Sequence, residues 1–111
     1  INSPAELFAE LVKIFPAFCD QWDGGEAFGY ENGGFSYHSI MLTFGPRSKK
    51  LFAQASPDQL KRLCAFIDSA VAQGGAIENA VSTCFLEHAT QIGIRSYIRP
   101  YLSPKARCNL R

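Results

Sequence analysis

Two histidines, His38 and His88, and four cysteines, Cys19, Cys64, Cys84 and Cys108, are the side chains of this chain best suited to proton transfer, nucleophilic attack or metal binding. Two imidazoles can run acid–base hydrolysis without a metal, one as base and one as acid. Nothing in the spacing of His38 and His88 joins them, so a small hydrolase or nuclease using both is the weaker functional reading. A zinc protease motif needs two histidines at i and i+4. Here Glu87 and His88 are adjacent, and on a helix neighbours point about 100° apart. No two cysteines have C-x-x-C spacing, which leaves neither a zinc-ribbon nor a dithiol redox pattern. Cys64 and Cys84 fall on apolar helical stripes, where a free cysteine behaves as a small hydrophobe. The chain has no G-x-S-x-G, no P-loop and no G-x-G-x-x-G, and no cofactor is implied. This cysteine usage fits a reducing cytoplasm.

The second set of side chains suits recognition rather than catalysis. Residues 20–37 hold Asp20, Trp22, Asp23, Glu26, Phe28, Tyr30, Glu31, Phe35 and Tyr37, with five glycines between 24 and 34. Aromatic anchors among carboxylates are a means of gripping a basic partner. Asp20, Trp22, Asp23, Glu26, Tyr30 and Glu31 are the candidate partner contacts. A blander alternative stays open, in which Trp22 and Phe28 plug the edge of the core and the acids are solvated. Charge is uneven along the chain. Through Gly34 six acids face Lys13 alone, whereas from Phe35 onward ten Lys and Arg face four acids. Such a division suggests a dipolar surface, unless folding interleaves the halves.

The basic pairs Lys49-Lys50 and Lys61-Arg62 read as solvated faces rather than phosphate sites. A DNA-reading hairpin over 57–91 is disfavoured, because its second helix has two glutamates and no Lys or Arg.

The elements that must position these residues are helical. Ser3-Pro4-Ala5-Glu6 predicts a capped helix start, with Glu6 closing a capping box, and Leu7, Leu11, Ile14, Phe15 and Phe18 mark its buried stripe. Pro16 predicts an end near Phe15, followed by a short turn over 16–22. Residues 35–44 fit a helical or an alternating pattern, and the absence of a partner strand favours a helix ended by Gly45-Pro46. Pro46 can then open another short helix through Phe52. Ser56-Pro57-Asp58-Gln59 repeats the opening device, and Leu60, Leu63, Cys64, Ile67, Ala70 and Val71 follow as a stripe. Gly74-Gly75 stops that helix. The pattern Ile77, Val81, Cys84, Phe85, Ala89 predicts one continuous helix over 76–91, and the two helices form a central hairpin. Glu87 is placed to pair with Arg95 or Arg99. A short element over 94–102 is interrupted by Pro100, and Ser103-Pro104 opens a last turn. The expected fold is an all-α, compact orthogonal bundle of about five to seven helices around the hairpin 57–91.

At 111 residues the chain is one domain, 1–111, large enough to bury roughly 65% of its unfolded surface in a core without staples. No stretch approaches the ~18–20 apolar residues of a membrane span, and no signal segment is read, so no membrane partner is expected.

The run NAVSTCFLEHA at 79–89 resembles the "nav…FLE" helix of a group of small bacterial helical domains. The similarity extends to the amphipathic helix and gap before it, 60–73 then Gly74-Gly75. It also takes in the Tyr101-Leu102-Ser103-Pro104 run after it and an opening like 7–15 followed by a Trp-containing acidic stretch. Some members of that group resemble immunity proteins of polymorphic or contact-dependent toxin systems. The resemblance implies an all-α fold, no enzyme activity and no cofactor, and it transfers no site residue. The expected function is a cytoplasmic immunity protein covering the active site of a cognate toxin, whose face would be basic. A generic adaptor domain is the alternative.

Overall fold

The computed structural model describes residues 1–20 and 36–111. Among the described residues there are seven α-helices, two 3-10 turns and no strand: an all-α domain. Helix α1, Pro4–Ile14, starts as its sequence dictates, with Ser3 Oγ accepting from the Glu6 N–H at 3.2 Å. The reciprocal half of the capping box is displaced by one residue, since the Glu6 carboxylate accepts from the Asn2 N–H at 2.7 Å. Helix α2, Ala17–Asp20, is the short turn expected beyond Pro16.

Helix α3, Tyr37–Ala53, settles the ambiguity of 35–44 as helix and overturns the break expected at Gly45-Pro46. Pro46 brings no N–H to the Leu42 carbonyl, a defect that usually ends a helix. Leu42 and Pro46 lie on the exposed stripe, so the missing bond falls on the wet side. Nearby side chains stitch the backbone: Ser48 Oγ donates to the Gly45 carbonyl at 2.6 Å and Arg47 Nη1 to the Thr43 carbonyl at 3.1 Å. The opposite stripe, Ile40, Met41, Phe44, Leu51 and Phe52, stays buried through the proline. Tertiary packing therefore outweighs the local cost.

Helix α4, Pro57–Gln73, has the full capping box of Ser56 and Gln59. It ends at Gly74 and Gly75, whose φ angles of +77° and +71° suit glycine. Helix α5, Gly75–Cys84, completes the hairpin and packs most extensively on α3 and α4. It is shorter than the sequence pattern predicts. The backbone leaves the helix at Phe85 (φ −131°, ψ −66°), and Leu86–His88 form a 3-10 turn. The reason lies at the far end of the sequence. In a continued helix the Thr90 N–H would donate to the Leu86 carbonyl. Instead the Arg111 backbone stands between them: Arg111 N–H donates to the Leu86 carbonyl at 3.0 Å, and Thr90 N–H donates to the Arg111 carbonyl at 2.7 Å.

Helix α6, Arg95–Ile98, runs into a 3-10 turn at Arg99–Tyr101 that accommodates Pro100, and α7, Pro104–Arg107, is capped by Ser103. The core is aromatic at its centre. Phe44 meets Phe18 edge-on at 5.1 Å between centroids and Phe85 at 5.6 Å, while Phe15 meets Phe52 at 5.5 Å. No helix of the described residues is long and apolar enough to cross a membrane.

Candidate functional site

The acidic-aromatic segment begins where α2 ends, at Asp20. Trp22, Asp23, Glu26, Tyr30 and Glu31 lie outside the described residues. The two elements flanking them are described and pack on each other. Phe18 of α2 sits against Phe44 of α3, and Ser36 caps α3 by accepting from the Ser39 N–H at 3.2 Å. The segment thus joins two helices that pack on each other.

A second site was not legible in the sequence. His38, in the first turn of α3, reaches α5 and stands between two of its side chains. His38 Nδ1 is 3.1 Å from Cys84 Sγ, and His38 Nε2 is 3.4 Å from Asn79 Nδ2. Five residues separate Asn79 and Cys84, about 7.5 Å along a helix, so one imidazole bridges the last turn and a half of α5. Thr83 supports this end, with its hydroxyl donating to the Asn79 carbonyl at 2.7 Å and lying 3.7 Å from Cys84 Sγ. A thiol beside an imidazole that a third polar group holds is the arrangement in which a nucleophile can pass its proton to a base. The signal for it lies in α3: His38, Met41 and Gly45 share a stripe at i, i+3 and i+7, and Gly45 lies against the end of α5. A Cβ at Gly45 would lie 3.7 Å from the Cys84 carbonyl and 3.6 Å from Ile92 Cδ1.

Cys84 opens on a cleft of about 420 Å³ whose walls are Leu42, Gly45, Pro46, His88, Gln91 and Ile92. Leu42 is 55% exposed on its rim. His88 lines this cleft but is held by Gln91 Oε1 at 3.0 Å. The two imidazoles thus have different partners and form no hydrogen-bonded acid–base pair. Cys64 differs from Cys84 in every respect. It is fully buried, its Sγ faces the Ile98 carbonyl at 3.6 Å, and burial, with Asp68 adding to it, pushes the thiol up to about 12.

Glu87 forms no ion pair with Arg95 or Arg99. Among the described residues the ion pair present is Lys105 with Glu78, at 3.9 Å and exposed, which contributes little to stability. Arg95 and Arg99 instead line an open groove of about 530 Å³ with Thr90 and Ser96. No three His, Cys, Asp or Glu side chains cluster to hold a metal among the described residues.

Residues 8–110 match the family described as Domain of unknown function (DUF7674). The chain belongs to that family. No curated protein and no solved structure matches the chain. The DUF7674 match spans both the acidic segment with its flanking helices α2 and α3 and the His38–Cys84 contact, so both belong to the domain itself.

Proposed function

We propose that this DUF7674 domain works by binding another protein, and that the partner is a cognate toxin domain which it neutralises as a cytoplasmic immunity protein. The observation that carries the reading is the separation of charge. Six acids face one lysine through Gly34, and the most acidic and aromatic part joins α2 to α3, two helices that pack on each other. Enzymes acting on anionic substrates present basic active sites, and an inhibitor of such an enzyme gains on-rate and affinity from acids. Asp20, Trp22, Asp23, Glu26, Tyr30 and Glu31 supply both the charge and the aromatic anchors such a surface needs.

The test is capture of the partner from native extract at low salt, followed by binding measurements on what is retained. A stoichiometric partner that is the toxic domain of a larger secreted protein supports the reading, and inhibition of its activity completes it. Replacing Asp23 and Glu26 together with Lys should weaken binding at least tenfold and flatten its salt dependence, with helical content intact. Unchanged affinity removes this surface, and a partner without toxic activity makes the domain an adaptor.

A further inference from the structure

Cys84 is the one cysteine of the four with an imidazole against its sulfur among the described residues. Cys19 and Cys108 are exposed, Cys64 is sealed in the core, and Cys84 is partly buried with His38 Nδ1 at 3.1 Å. One proton arrangement lets His38 act as base: the thiol donates to Nδ1 at 3.1 Å, Nε2 carries the ring hydrogen, and the Asn79 amide, whose nitrogen and oxygen are interchangeable by rotation, turns its oxygen to accept from Nε2–H at about the 3.4 Å of that contact. Among the described residues the ionisable side chains around the thiol are His38 from α3 and His88 from the 3-10 turn. Among the described residues no carboxylate, lysine or arginine lines the cleft.

The position of Cys84 within α5 decides which chemistry this supports. It is the last residue of the helix, where backbone carbonyls rather than N–H groups face outward and the dipole is negative. An acyl-transfer enzyme needs N–H donors for an oxyanion at its nucleophile, and this end of a helix offers the opposite. Thiol–disulfide exchange makes no oxyanion, and it needs only a thiolate formed on demand and room for the incoming sulfur compound. The cleft provides that room: about 420 Å³, within the roughly 300–1,000 Å³ of small-molecule sites, with Leu42, Pro46 and Ile92 as apolar walls and Gln91 and His88 as polar ones.

We infer that Cys84 is a thiol-modification site that accepts one half of a low-molecular-weight disulfide, with His38 as its base and Asn79 as a positioning residue. The thiol proton passes to the imidazole, and the thiolate attacks one sulfur of the disulfide. The protein–sulfur bond forms as the disulfide bond breaks. The departing thiolate takes the proton from the imidazolium, leaving a mixed disulfide on Cys84 and one free small thiol. No further oxidant is consumed. The inference stands apart from the partner-binding reading, because it uses neither the acidic segment nor a toxin.

The experiment treats the intact protein with oxidised glutathione and follows each cysteine by peptide mass spectrometry across pH. Cys84 should acquire a glutathionyl group at least tenfold faster than Cys19 and Cys108 at neutral pH, although both are more exposed. His38→Ala should erase that advantage and move the onset of reaction to higher pH. His38→Gln, which keeps a polar side chain, should do the same, so loss of folding is not the cause. Asn79→Ala should slow the reaction less than either. The inference is overturned if wild-type Cys84 reacts no faster than Cys19 and Cys108, or if both His38 variants keep its rate and pH onset.

Discussion

Two buried or half-buried thiols on successive helices, Cys64 and Cys84, show how little a residue's type says before its surroundings are known. Both read as small hydrophobes on apolar stripes, and for Cys64 that reading holds. Its raised pKa carries a stability consequence. The thiol ionises near 9 in the unfolded chain and near 12 in the folded one. Between those values the unfolded state binds fewer protons than the native state, so stability falls as pH rises. Below pH 9 the contribution is fully present. Urea unfolding midpoints should therefore decline across pH 9–12, and Cys64→Ala should remove part of that decline while lowering stability at pH 7 by about 1–2 kcal/mol. A midpoint curve unchanged in shape by the substitution would count against the assignment. Cys84 differs because a residue 46 positions away supplies its neighbour. The helical period gave the stripe on α5, but no local rule says which stripe of α3 meets it.

At the scale of elements, glycine makes the sharpest contrast. Gly74 joins α4 to α5 with φ +77° and ψ −172°, a region essentially closed to other residues. Gly45 sits inside α3, in contact distance of α5 but without a clash. The same substitution should act in opposite directions. Gly74→Ala should lower stability by about 1–3 kcal/mol. Gly45→Ala should raise it by about 0.5–1 kcal/mol, since alanine suits a helix interior better and its Cβ meets neighbours at ordinary packing distances. Thermal or denaturant unfolding of the two variants reads both signs directly. The ends of α1, α4 and α7 were legible because Ser-Pro pairs announce a cap and a first turn, and the Gly74-Gly75 stop was legible for the reason just given. The run through Pro46 was not, because the buried stripe from Ile40 to Phe52 repays a local defect that no short window can weigh. The end of α5 was not legible, because Phe85 and Ala89 stay buried beyond it and keep the apolar rhythm of a helix that has already stopped. The candidate partner surface was legible as composition, whereas the site at Cys84 became visible only when two helices were set side by side.

At the scale of the whole molecule the two candidate sites meet at the start of α3. Helices α2 and α3, which pack on each other, flank the acidic segment. His38, two residues after the Ser36 cap, touches Cys84 at the end of α5. The aromatic residues Phe15, Phe18, Phe44, Phe52 and Phe85 are buried in the core. The Arg111 backbone, seated between the Leu86 carbonyl and the Thr90 N–H, has a consequence for the whole chain. Residues 76–91 carry the pattern of one helix and are kept from forming it by a competing backbone about 20 residues further along the chain. The segment is thus locally frustrated, with two backbone pairings open to it and one tail choosing between them. Deleting residues 109–111 should let Thr90 turn to Leu86 and extend α5 by up to two turns. It should also uncover the core where Leu110 now lies. Amide exchange at 86–91 would then slow while the rest of the domain loosens. Faster exchange throughout would mean that the tail supports the turn rather than restraining a spring.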